Sequence, residues 1–390
     1  MQTMNDDMKN RRPLKLLIGG NGNLTVRDGA LFVHHEIAAF LSETLSLGLN
    51  TEYATIVRDA GSEQVKNLAD EKLPEGIRVN RFRSLAGMPR WIRPFAMLKT
   101  VMRLMFLVTR YDFVYCYYPG SLVKLIAFFC RLFHRPYGLN VRGEVPPTGL
   151  NRNTLKSARF ILADGVCNVT RVAPEYDKCR EIVPMCSIFQ EDIPPVVREP
   201  AGGALHGLFV GRVEKNKGVF ELFEALTVLK RRGIPVTMTL VGAYGADIEE
   251  AVKRPEISDM VTLVGLAKTP DELKNFYRDA DFFCLPSYTE GFPRVLYEAM
   301  AYGLPCLTTL VGGIPSRMHA GENCLALKVR DVDSIVDAIS ALSSDSALAE
   351  RLSQASLDTF ACWKRRFSGS SHAIQLKDSI TAALEGRICH

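Results

Sequence analysis

The feature that most constrains this chain is an alternation of strand-like and helix-like segments, which is interrupted only once. Short apolar segments alternate with longer amphipathic ones as far as residue 184, Pro and Gly then cluster in residues 192–203, and the alternation restarts. Clusters of this kind are typical of a linker between domains. Alternating strands and helices predict parallel sheets covered by helices. The predicted fold class is therefore α/β, with two Rossmann-like, doubly wound parallel-sheet domains that face a central cleft.

The boundaries follow from the same pattern. We place the first domain at residues 1–195, a linker at 196–204, the second domain at 205–365 and a carboxy-terminal segment at 366–390. The predicted strands of the first domain are 14–20, 52–57, 77–82, 113–118 and 137–141, with shorter units around 160–163 and 182–184. Its predicted helices are 31–47, 92–109 and 121–133. The predicted strands of the second domain are 205–210, 236–241, 261–264, 281–285, 306–309 and 325–329. A final helix at 373–384 is predicted after a basic turn at 364–366, and we expect it to cross back to the first domain.

Composition excludes several classes of protein. A chain of 390 residues, 47% of them apolar, can bury a core in each of two domains. Its ten cysteines include no C-x-x-C pair, which argues against a zinc site or a disulfide framework and fits reduced thiols in the cytoplasm. The polar start and the lack of an eighteen-residue apolar run predict neither a signal peptide nor a membrane-spanning helix.

Two motifs that suggest a cofactor have simpler explanations. Asp331-Val332-Asp333 resembles a D-x-D metal motif, but acids at the start of a helix are ordinary caps. Gly20 and Gly22 supply only part of the G-x-G-x-x-G fingerprint of dinucleotide-binding proteins. We therefore expect neither a metal nor a cofactor. The sequence Thr269-Pro270-Asp271-Glu272 is a capping box and predicts the start of a helix.

Two carboxylates flank another predicted helix start. Glu290 lies in a strand-to-helix loop, and Glu298 lies two turns into a helix of roughly ten residues that Pro293 and Gly303 delimit. Open α/β sheets bind ligands at the carboxyl ends of their strands. A carboxylate can hold a vicinal diol of a ribose or a sugar, and a helix start attracts phosphate. The alternative interpretation is an ordinary loop acid followed by a solvated helix acid.

Two cations occur after an earlier strand. Arg212 follows Gly211 at the end of the predicted strand 205–210, and Lys217 lies at the start of the next helix. An arginine offers a planar fork to phosphate oxygens, and a lysine offers a compact point charge. Fixed cations would stabilise the negative charge that develops on a leaving diphosphate. Alternatively, both are ordinary solvated charges.

The segment Glu290-Gly291-Phe292-Pro293-Arg294-Val295-Leu296-Tyr297-Glu298 resembles the E-x7-E signature of the retaining glycosyltransferases of family four, which have the GT-B fold. The resemblance continues in residues 209–218 and in Gly312-Gly313-Ile314-Pro315. It is strong over residues 205–345 and loose in the first half. It implies transfer of a hexose from a nucleotide-diphosphate sugar to a glycan or lipid-linked acceptor, with retention, in bacterial cell-surface polysaccharide or glycolipid synthesis.

The resemblance also implies roles for individual residues. Arg212, Lys217 and Glu290 would be catalytic, with the cations at the diphosphate and Glu290 at the sugar hydroxyls, while Glu298 would hold the ribose. The other implied donor-binding positions are Gly29, Gly211, Gly265, Leu266, Gly291, Phe292, Pro293 and Leu296. Gly29 would allow the backbone to approach phosphate closely, and Gly265 and Leu266 would border the base unless they form a plain strand-end turn.

The sequence departs from the family pattern at three positions. Arg142 stands where many relatives have a histidine, so it is a candidate acceptor or sugar contact, or a structural residue. Ser316 and Cys324 also replace the residues usual in the family. These departures concern the finer contacts with the sugar.

One region of the first domain is strongly basic. Residues 76–142 contain twelve basic residues and a single acid, Asp112. The helices predicted at 92–109 and 121–133 are basic and very apolar, which predicts contact with an anionic membrane surface. The alternative is two core-facing helices with a few solvated arginines. We therefore expect a cytoplasmic protein, peripheral on the cytoplasmic face of the inner membrane, with no nucleic-acid partner.

Other functions on a similar scaffold stay open. A nucleotide-sugar epimerase would need no acceptor, a sugar phosphorylase would need a pyridoxal-phosphate lysine that cannot be identified here, and a non-catalytic sugar-binding protein would turn nothing over. A glycoside hydrolase is disfavoured because Glu290 and Glu298 come from one loop and its helix and would not flank a bond.

Overall fold

The computed structural model describes residues 14–20, 24–27, 29–58, 71–83, 88–184, 188, 193 and 203–386. The chain forms two compact units, one of Met1–Met185 together with Gly369–His390 and the other of Cys186–Ser368. Most of the predicted linker at 196–204 lies outside the described residues. Each unit contains its own sheet of mainly parallel strands, so the prediction of two α/β domains is confirmed.

The sheet of the first unit has ten strands. They are β1 (Lys15–Gly19), β2 (Leu24–Arg27), β3 (Ala30–Val33), β4 (Asn50–Arg58), β5 (Glu71–Lys72), β6 (Arg78–Arg83), β7 (Phe113–Tyr118), β8 (Tyr137–Val141), β9 (Phe160–Ala163) and β10 (Cys179–Glu181). Their order is β10-β9-β8-β7-β1-β4-β2-β3-β5, and β6 pairs with β4. The pairs β2–β3 and β3–β5 are antiparallel, and the other pairs are parallel. The described helices of this unit that precede residue 185 are α1 (His35–Ser46), α2 (Arg93–Val108), α3 (Ser121–Leu132), α4 (Gly149–Ser157) and α5 (Val166–Thr170).

The sheet of the second unit has six parallel strands in the order β13-β12-β11-β14-β15-β16. They are β11 (Leu205–Val210), β12 (Val236–Val241), β13 (Val261–Gly265), β14 (Phe282–Leu285), β15 (Cys306–Thr309) and β16 (Leu325–Leu327). The helices are α6 (Val219–Arg231), α7 (Ala246–Val252), α8 (Pro270–Asp279), α9 (Arg294–Ala301), α10 (Val332–Ser344) and α11 (Ser346–Phe367).

The last helix, α12 (His372–Leu384), belongs to the first unit and packs against α1. Successive side chains of a strand point to opposite faces, and β7 contributes to the two larger hydrophobic cores of this unit. Tyr115 packs in the core with Phe40 of α1 and Leu376 of α12. Cys116 packs in the core with Leu104 of α2 and with helix α3. Helices thus cover both faces, as a doubly wound sheet requires.

The predicted helix at 31–47 is wrong at its start. Residues Ala30–Val33 form β3, which pairs with β2 so that Ala30 lies opposite Arg27. The turn between them holds Gly29 at a φ of 76°, a conformation that glycine adopts at little cost. The aromatic and β-branched residues that follow suit a strand, and the helix begins only at His35.

Three helix ends in the second unit can be compared with the predictions. Thr269 Oγ1 accepts a hydrogen bond from the Glu272 amide at 3.1 Å, which confirms the predicted start of α8. Asp331 accepts from the Ser334 amide at 2.7 Å, so it caps α10 as predicted. The predicted basic turn at 364–366 is wrong, because these residues form the last turn of α11, where cations interact favourably with the helix dipole.

A search of the described helices finds none that combines the length and apolarity needed to cross a membrane.

Candidate functional site

The second sheet has a topological switch point between β11 and β14. From β11 the chain proceeds outward through β12 and β13, and it then returns to the other side of β11 and proceeds through β14, β15 and β16. In open α/β sheets, ligands bind at the carboxyl ends of the strands beside such a point. The loops that follow β11 and β14 carry the predicted cations and Glu290.

Lys217 and Glu290 join these two loops. Lys217 Nζ donates to Glu290 Oε1 at 2.6 Å, and the side chains are only 17% and 10% exposed. Ser287, which is completely buried, donates from its hydroxyl to the same carboxylate oxygen at 2.8 Å. The Ser287 carbonyl in turn accepts from Thr309 Oγ1 at 2.6 Å, which ties the loop to the end of β15. The structure therefore holds an ammonium and a carboxylate in fixed positions at the switch point.

A glycine makes the contact between the two loops possible. The residues Lys215–Lys217 form a 3-10 turn that ends at Gly218, whose φ is 71°. A Cβ on Gly218 would lie 2.1 Å from the Pro286 carbonyl oxygen, so a larger residue would push the loops apart. The Tyr288 amide also donates to the Asn216 carbonyl at 2.9 Å. These contacts place Lys217 beside Glu290.

A second glycine packs a third loop against the Glu290 segment. Gly312, in the loop after β15, has a φ of 57°, and a Cβ there would lie 1.8 Å from the Glu290 carbonyl oxygen. The Gly313 amide donates to the Gly291 carbonyl at 2.7 Å. The backbone of Glu290 and Gly291 is thus fixed from two sides.

The helix that follows is slightly shorter than predicted. Helix α9 has eight residues, and Pro293 is its N-cap rather than its first helical residue. Phe292 and Leu296 are buried, and Leu296 is completely so, which leaves the Leu296 side chain no exposed surface for a nucleotide. The predicted contact of Phe292 with the donor sugar involves its backbone amide and not its buried side chain. This amide lies just before the positive end of the helix dipole.

Glu298 projects from α9 and is held by a tyrosine. Tyr277 of α8 donates its hydroxyl to Glu298 Oε2 at 2.6 Å. The Tyr277 side chain is buried and stacks on Tyr302, with ring centroids 5.6 Å apart. Glu298 is half-buried rather than a fully solvated helix acid. The sequence does not predict this role of Tyr277, because nothing in its local pattern indicates which helix packs beside α9.

Arg212 has a different local partner. Its guanidinium is 70% exposed and lies 3.0 Å from the Glu214 carboxylate. It follows Gly211, and the neighbouring strand β12 is followed by Gly242, where a Cβ would lie 1.8 Å from the Gly211 carbonyl oxygen. The ends of β11 and β12 therefore approach closely beneath Arg212.

The predicted base-binding positions lie at the same edge of the sheet. Gly265 ends β13 with a φ of 77°, and its carbonyl accepts from the Gly242 amide at 2.6 Å. Leu266, the next residue, is exposed. Both are therefore at the carboxyl ends of the strands, three strands along from Glu290.

Tyr288, in the loop that follows β14, is protonated at neutral pH. Its hydroxyl donates to Glu221 at 2.5 Å, and the Arg330 guanidinium lies 4.6 Å from its ring. Burial, reinforced by the hydrogen bond to Glu221, raises the pKa of Tyr288 to about 12. Tyr288 therefore remains a hydrogen-bond donor at neutral pH.

An arginine in an aromatic cage supports the loop that contains Gly291 and Phe292, and no sequence pattern predicts it. Arg317 is buried, and its guanidinium lies 4.7 Å from the Phe292 ring, 5.2 Å from Tyr297 and 5.8 Å from Trp363. Cation–π contacts of this kind strengthen when water is excluded. The cage packs the Gly291–Phe292 segment against α11.

The two predicted positions in the first unit have local roles. The Arg142 guanidinium lies 5.0 Å from the Tyr117 ring, and its side chain is exposed beyond the end of β8. Gly29 lies in the β2–β3 turn, and nothing stands within 4 Å of a Cβ built on it. Its positive φ accounts for the glycine, and its predicted contact with phosphate stays a prediction.

No group of three or more candidate metal-ligating side chains occurs within the described residues.

Two parallel-sheet α/β units, with charged loops at the switch point of the second sheet, define the GT-B class of fold. Residues 200–358 match the family described as glycosyl transferases group 1.

Curated relatives match a limited part of the chain. The D-inositol 3-phosphate glycosyltransferase of Arthrobacter sp. (strain FB24) is 32% identical over 151 residues, which are 37% of this chain. The amylovoran biosynthesis glycosyltransferase AmsK of Erwinia amylovora is 34% identical over 157 residues, which are 38% of this chain. The matches cover 36% and 35% of the length of these two relatives.

A solved structure resembles the whole chain. Anabaena HepE in complex with UDP-glucose has a TM-score of 0.65 at 16% identity, over 96% of this chain and 100% of that one. This likeness shows the fold of both units.

Proposed function

We propose that the chain is a glycosyltransferase that moves a sugar from a nucleotide-diphosphate donor to a glycan or lipid-linked acceptor with retention. The observation that carries the proposal is the ion pair of Lys217 and Glu290 at the switch point of the second sheet. The glycosyl transferases group 1 match over residues 200–358 supports the same reaction class. We place the reaction in cell-surface polysaccharide or glycolipid synthesis, because amylovoran biosynthesis is the setting of one relative.

The donor sugar would bind between the carboxylate and the helix start. Lys217 and Ser287 both contact Oε1 of Glu290, so a sugar hydroxyl would be bound through Oε2. The backbone amides of Gly291 and Phe292 would orient the same sugar. Because two neighbouring loops hold this segment in place, little reorganisation would be needed when the transition state forms.

The cations would stabilise the leaving diphosphate. Lys217 supplies a point charge at the loop, and Arg212 is exposed, so its guanidinium can turn from Glu214 to a phosphate. When the sugar–phosphate bond breaks, negative charge grows on the diphosphate, and fixed cations lower the barrier by stabilising it. Retention would follow from attack of the acceptor hydroxyl on the face from which the phosphate leaves, with that phosphate taking the proton. No side chain has to form a covalent intermediate.

The nucleoside would be bound farther along the edge of the sheet. Glu298, oriented by the hydroxyl of Tyr277, would accept hydrogen bonds from the ribose diol. The base would lie near the exposed Leu266. The complex of HepE with UDP-glucose, which has the same fold, makes a uridine diphosphate sugar the first donor to test. We propose no metal or cofactor for this reaction. We also place the protein in the cytoplasm, where nucleotide sugars would be available to it.

The experiment is a donor panel followed by a transfer assay. A uridine, guanosine or adenosine diphosphate sugar that binds the folded protein should raise its melting temperature. The stabilising donor is then incubated with isolated lipid-linked and glycan acceptors, and NMR of the product gives the anomeric configuration. A donor that is epimerised without acceptor would indicate the epimerase, and binding without turnover the non-catalytic protein. If none of the donors shifts the melting temperature, the proposal fails.

A further inference from the structure

Helix α2 in the first unit carries an apolar stripe on its solvent side. The stripe consists of Trp91, just before the helix, and of Phe95, Leu98, Met102 and Phe106. Their exposures are 74%, 72%, 60%, 43% and 63%. Their spacing of three and four residues places them on one face of a helix. Because the opposite side of α2 already packs on the sheet, this stripe is not part of the core of the first unit.

Basic side chains border the stripe. Lys99 and Arg103 lie one turn apart on the same helix, and Arg110 follows its end; all three are exposed. Arg103 also donates to the Arg81 carbonyl at 2.7 Å, which holds its chain in place. Asp112 is the only acid in residues 76–142, and it accepts from the Lys15 amide at 3.0 Å. Basic side chains therefore predominate beside the stripe, although Glu52 lines a cavity together with Leu107 and Arg110.

A basic cavity opens at the end of the neighbouring helix α3. Its volume is 610 Å³, and its walls include the exposed Phe128 and Leu132 and the bases Arg131, Arg135, Arg159 and Lys178. Lys156 also lines it and is ion-paired with Glu175, which is not among the lining residues. The cavity thus combines an apolar rim with several cations.

The stripe and the cavity lie on the same side of the first unit. Helices α2 and α3 pack against each other and against the same core. Helix α2 leads into β7 and α3 leads from β7 into β8, so the carboxyl ends of both helices lie at the amino edge of the parallel sheet. This is the edge opposite to the one where α/β sheets bind their substrates.

We propose that the α2 stripe and the α3 cavity together form a docking face for an anionic lipid bilayer. The stripe would lie in the interface between headgroups and acyl chains, as amphipathic helices do. Lys99, Arg103 and Arg110 would contact the negatively charged surface, and the cavity would receive a lipid phosphate. A lipid surface fits better than a protein partner, because the face combines a row of large apolar side chains with a predominance of basic side chains. The proposal does not depend on the proposed glycosyl transfer.

The test uses the full chain and vesicles of phosphatidylcholine, with or without an equal amount of phosphatidylglycerol. We expect co-sedimentation with the anionic vesicles only, weakened by salt. The pair Arg135→Gln with Arg159→Gln should reduce binding about five-fold for each charge removed. The pair Arg231→Gln with Arg232→Gln changes the charge equally in the second unit and should leave binding unchanged. Equal loss in both pairs would show general charge attraction and overturn the docking face.

The apolar stripe has its own spectroscopic reporter. The chain has two tryptophans, of which Trp91 is exposed and Trp363 is buried. Anionic vesicles should shift the fluorescence of Trp91 to the blue, and Trp91→Phe should abolish the shift. Phe95→Ser with Phe106→Ser should weaken binding, whereas Val329→Ser with Leu384→Ser, two exposed apolar residues elsewhere, should not. A shift that persists in Trp91→Phe would contradict insertion of the stripe.

Two further outcomes would assign the face to another occupant. If millimolar inorganic phosphate displaces the protein from vesicles without a matched effect of chloride at equal ionic strength, the cavity binds small anions instead. If Phe95→Ser with Phe106→Ser converts a dimer into a monomer while the native chain ignores anionic vesicles, the stripe is an interface between copies. Either result would overturn the proposal.

Discussion

Lys217 Nζ lies 2.6 Å from Glu290 Oε1, although 73 residues separate the two in sequence. Both side chains are largely buried, so removal of one leaves the other charge poorly solvated. We expect Lys217→Met and Glu290→Gln each to lower the free energy of unfolding by about 1–3 kcal/mol. The double variant should lose less than the sum of the two, measured as a coupling energy in urea.

A surface ion pair provides the control for this cycle. Lys253 lies 2.9 Å from Glu249 on helix α7, and both side chains are mostly exposed. Lys253→Met should therefore change the free energy of unfolding much less than Lys217→Met. Strictly additive effects of Lys217→Met and Glu290→Gln would contradict a coupled pair.

Glu298 should matter for donor binding rather than for the chemical step. Its proposed ligand is the ribose, which is distant from the bond that breaks. Glu298→Ala should weaken donor binding by about 1.5–3 kcal/mol, the cost of a charged hydrogen bond, with kcat nearly unchanged. Tyr277→Phe removes only the hydroxyl that holds Glu298 and should cost about 0.5–1.5 kcal/mol. Donor titration and initial rates test both, and a large fall in kcat for Glu298→Ala would place it nearer the reacting atoms.

Arg212 should slow turnover when it is removed, because its proposed ligand is the leaving diphosphate. Arg212→Ala should lower both kcat and kcat/KM, the latter by about 1.5–3 kcal/mol expressed as lost transition-state stabilisation. Lys217→Ala should behave in the same way. Initial rates over a range of donor concentrations give both constants.

Glu214 offers a matched comparison for Arg212. It holds the guanidinium at 3.0 Å and has no proposed contact with substrate. Glu214→Gln should weaken that pair, leave Arg212 available to phosphate and keep kcat/KM at or above that of the native chain. A loss as large as that of Arg212→Ala would mean that the pair itself, and not the guanidinium, is needed.

Much of the fold could be predicted because the strands are short and largely apolar. The predicted strands 113–118, 137–141, 205–210, 236–241 and 306–309 agree to the residue with β7, β8, β11, β12 and β15. Strands buried on both faces of a parallel sheet show this composition. The β2–β3 hairpin was missed because the apolar residues Leu31, Phe32 and Val33 run directly into an amphipathic helix. Periodicity alone cannot separate a short strand from the helix that follows it.

Only part of the candidate site could be predicted from the sequence. Glu290 and Glu298 could be recognised as candidates because one loop and its helix carry both. Lys217 could also be recognised as a candidate cation, but its pairing with Glu290 could not. Neither could Tyr277 and Arg317, since they come from other elements. Which elements lie side by side is decided by tertiary packing, and no local spacing records it.

Arg317 should position the loop that carries Glu290. Its guanidinium packs against Phe292, Tyr297 and Trp363, so Arg317→Met should remove all three cation–π contacts and lower the free energy of unfolding by about 2 kcal/mol. The Trp363 fluorescence should change in the folded protein, because the ring loses a charged neighbour. Donor affinity should fall as the amides of Gly291 and Phe292 become less ordered.

A conservative substitution separates charge from shape at this position. Arg317→Lys keeps the positive charge but loses the planar guanidinium that stacks on the rings, so it should restore only part of the donor affinity. If Arg317→Met binds donor as tightly as the native chain, Arg317 stabilises the unit without positioning the loop.

His372 should make the first unit sensitive to acid. It is buried at the start of α12, lies 2.8 Å from the Tyr115 hydroxyl and stacks on Phe40 at 4.3 Å. Burial, with a smaller contribution from Arg142, holds the pKa of His372 well below its usual value. Between the lowered pKa and the unfolded value of about 6.5, only the unfolded chain binds the proton. Stability should therefore be intact above about pH 6.5 and fall as the pH drops further.

The unfolding midpoint in urea, measured from about pH 8 down to pH 5, tests this directly. His372→Gln has no titrating ring, so its stability should depend less on pH over the same interval, although the variant is less stable at every pH because it loses the stacking on Phe40. The difference between the two curves isolates the contribution of His372 from that of the carboxylates, which both proteins share. Parallel curves would mean that the pKa of His372 is the same in the folded and unfolded chains, which would contradict a pKa lowered by burial.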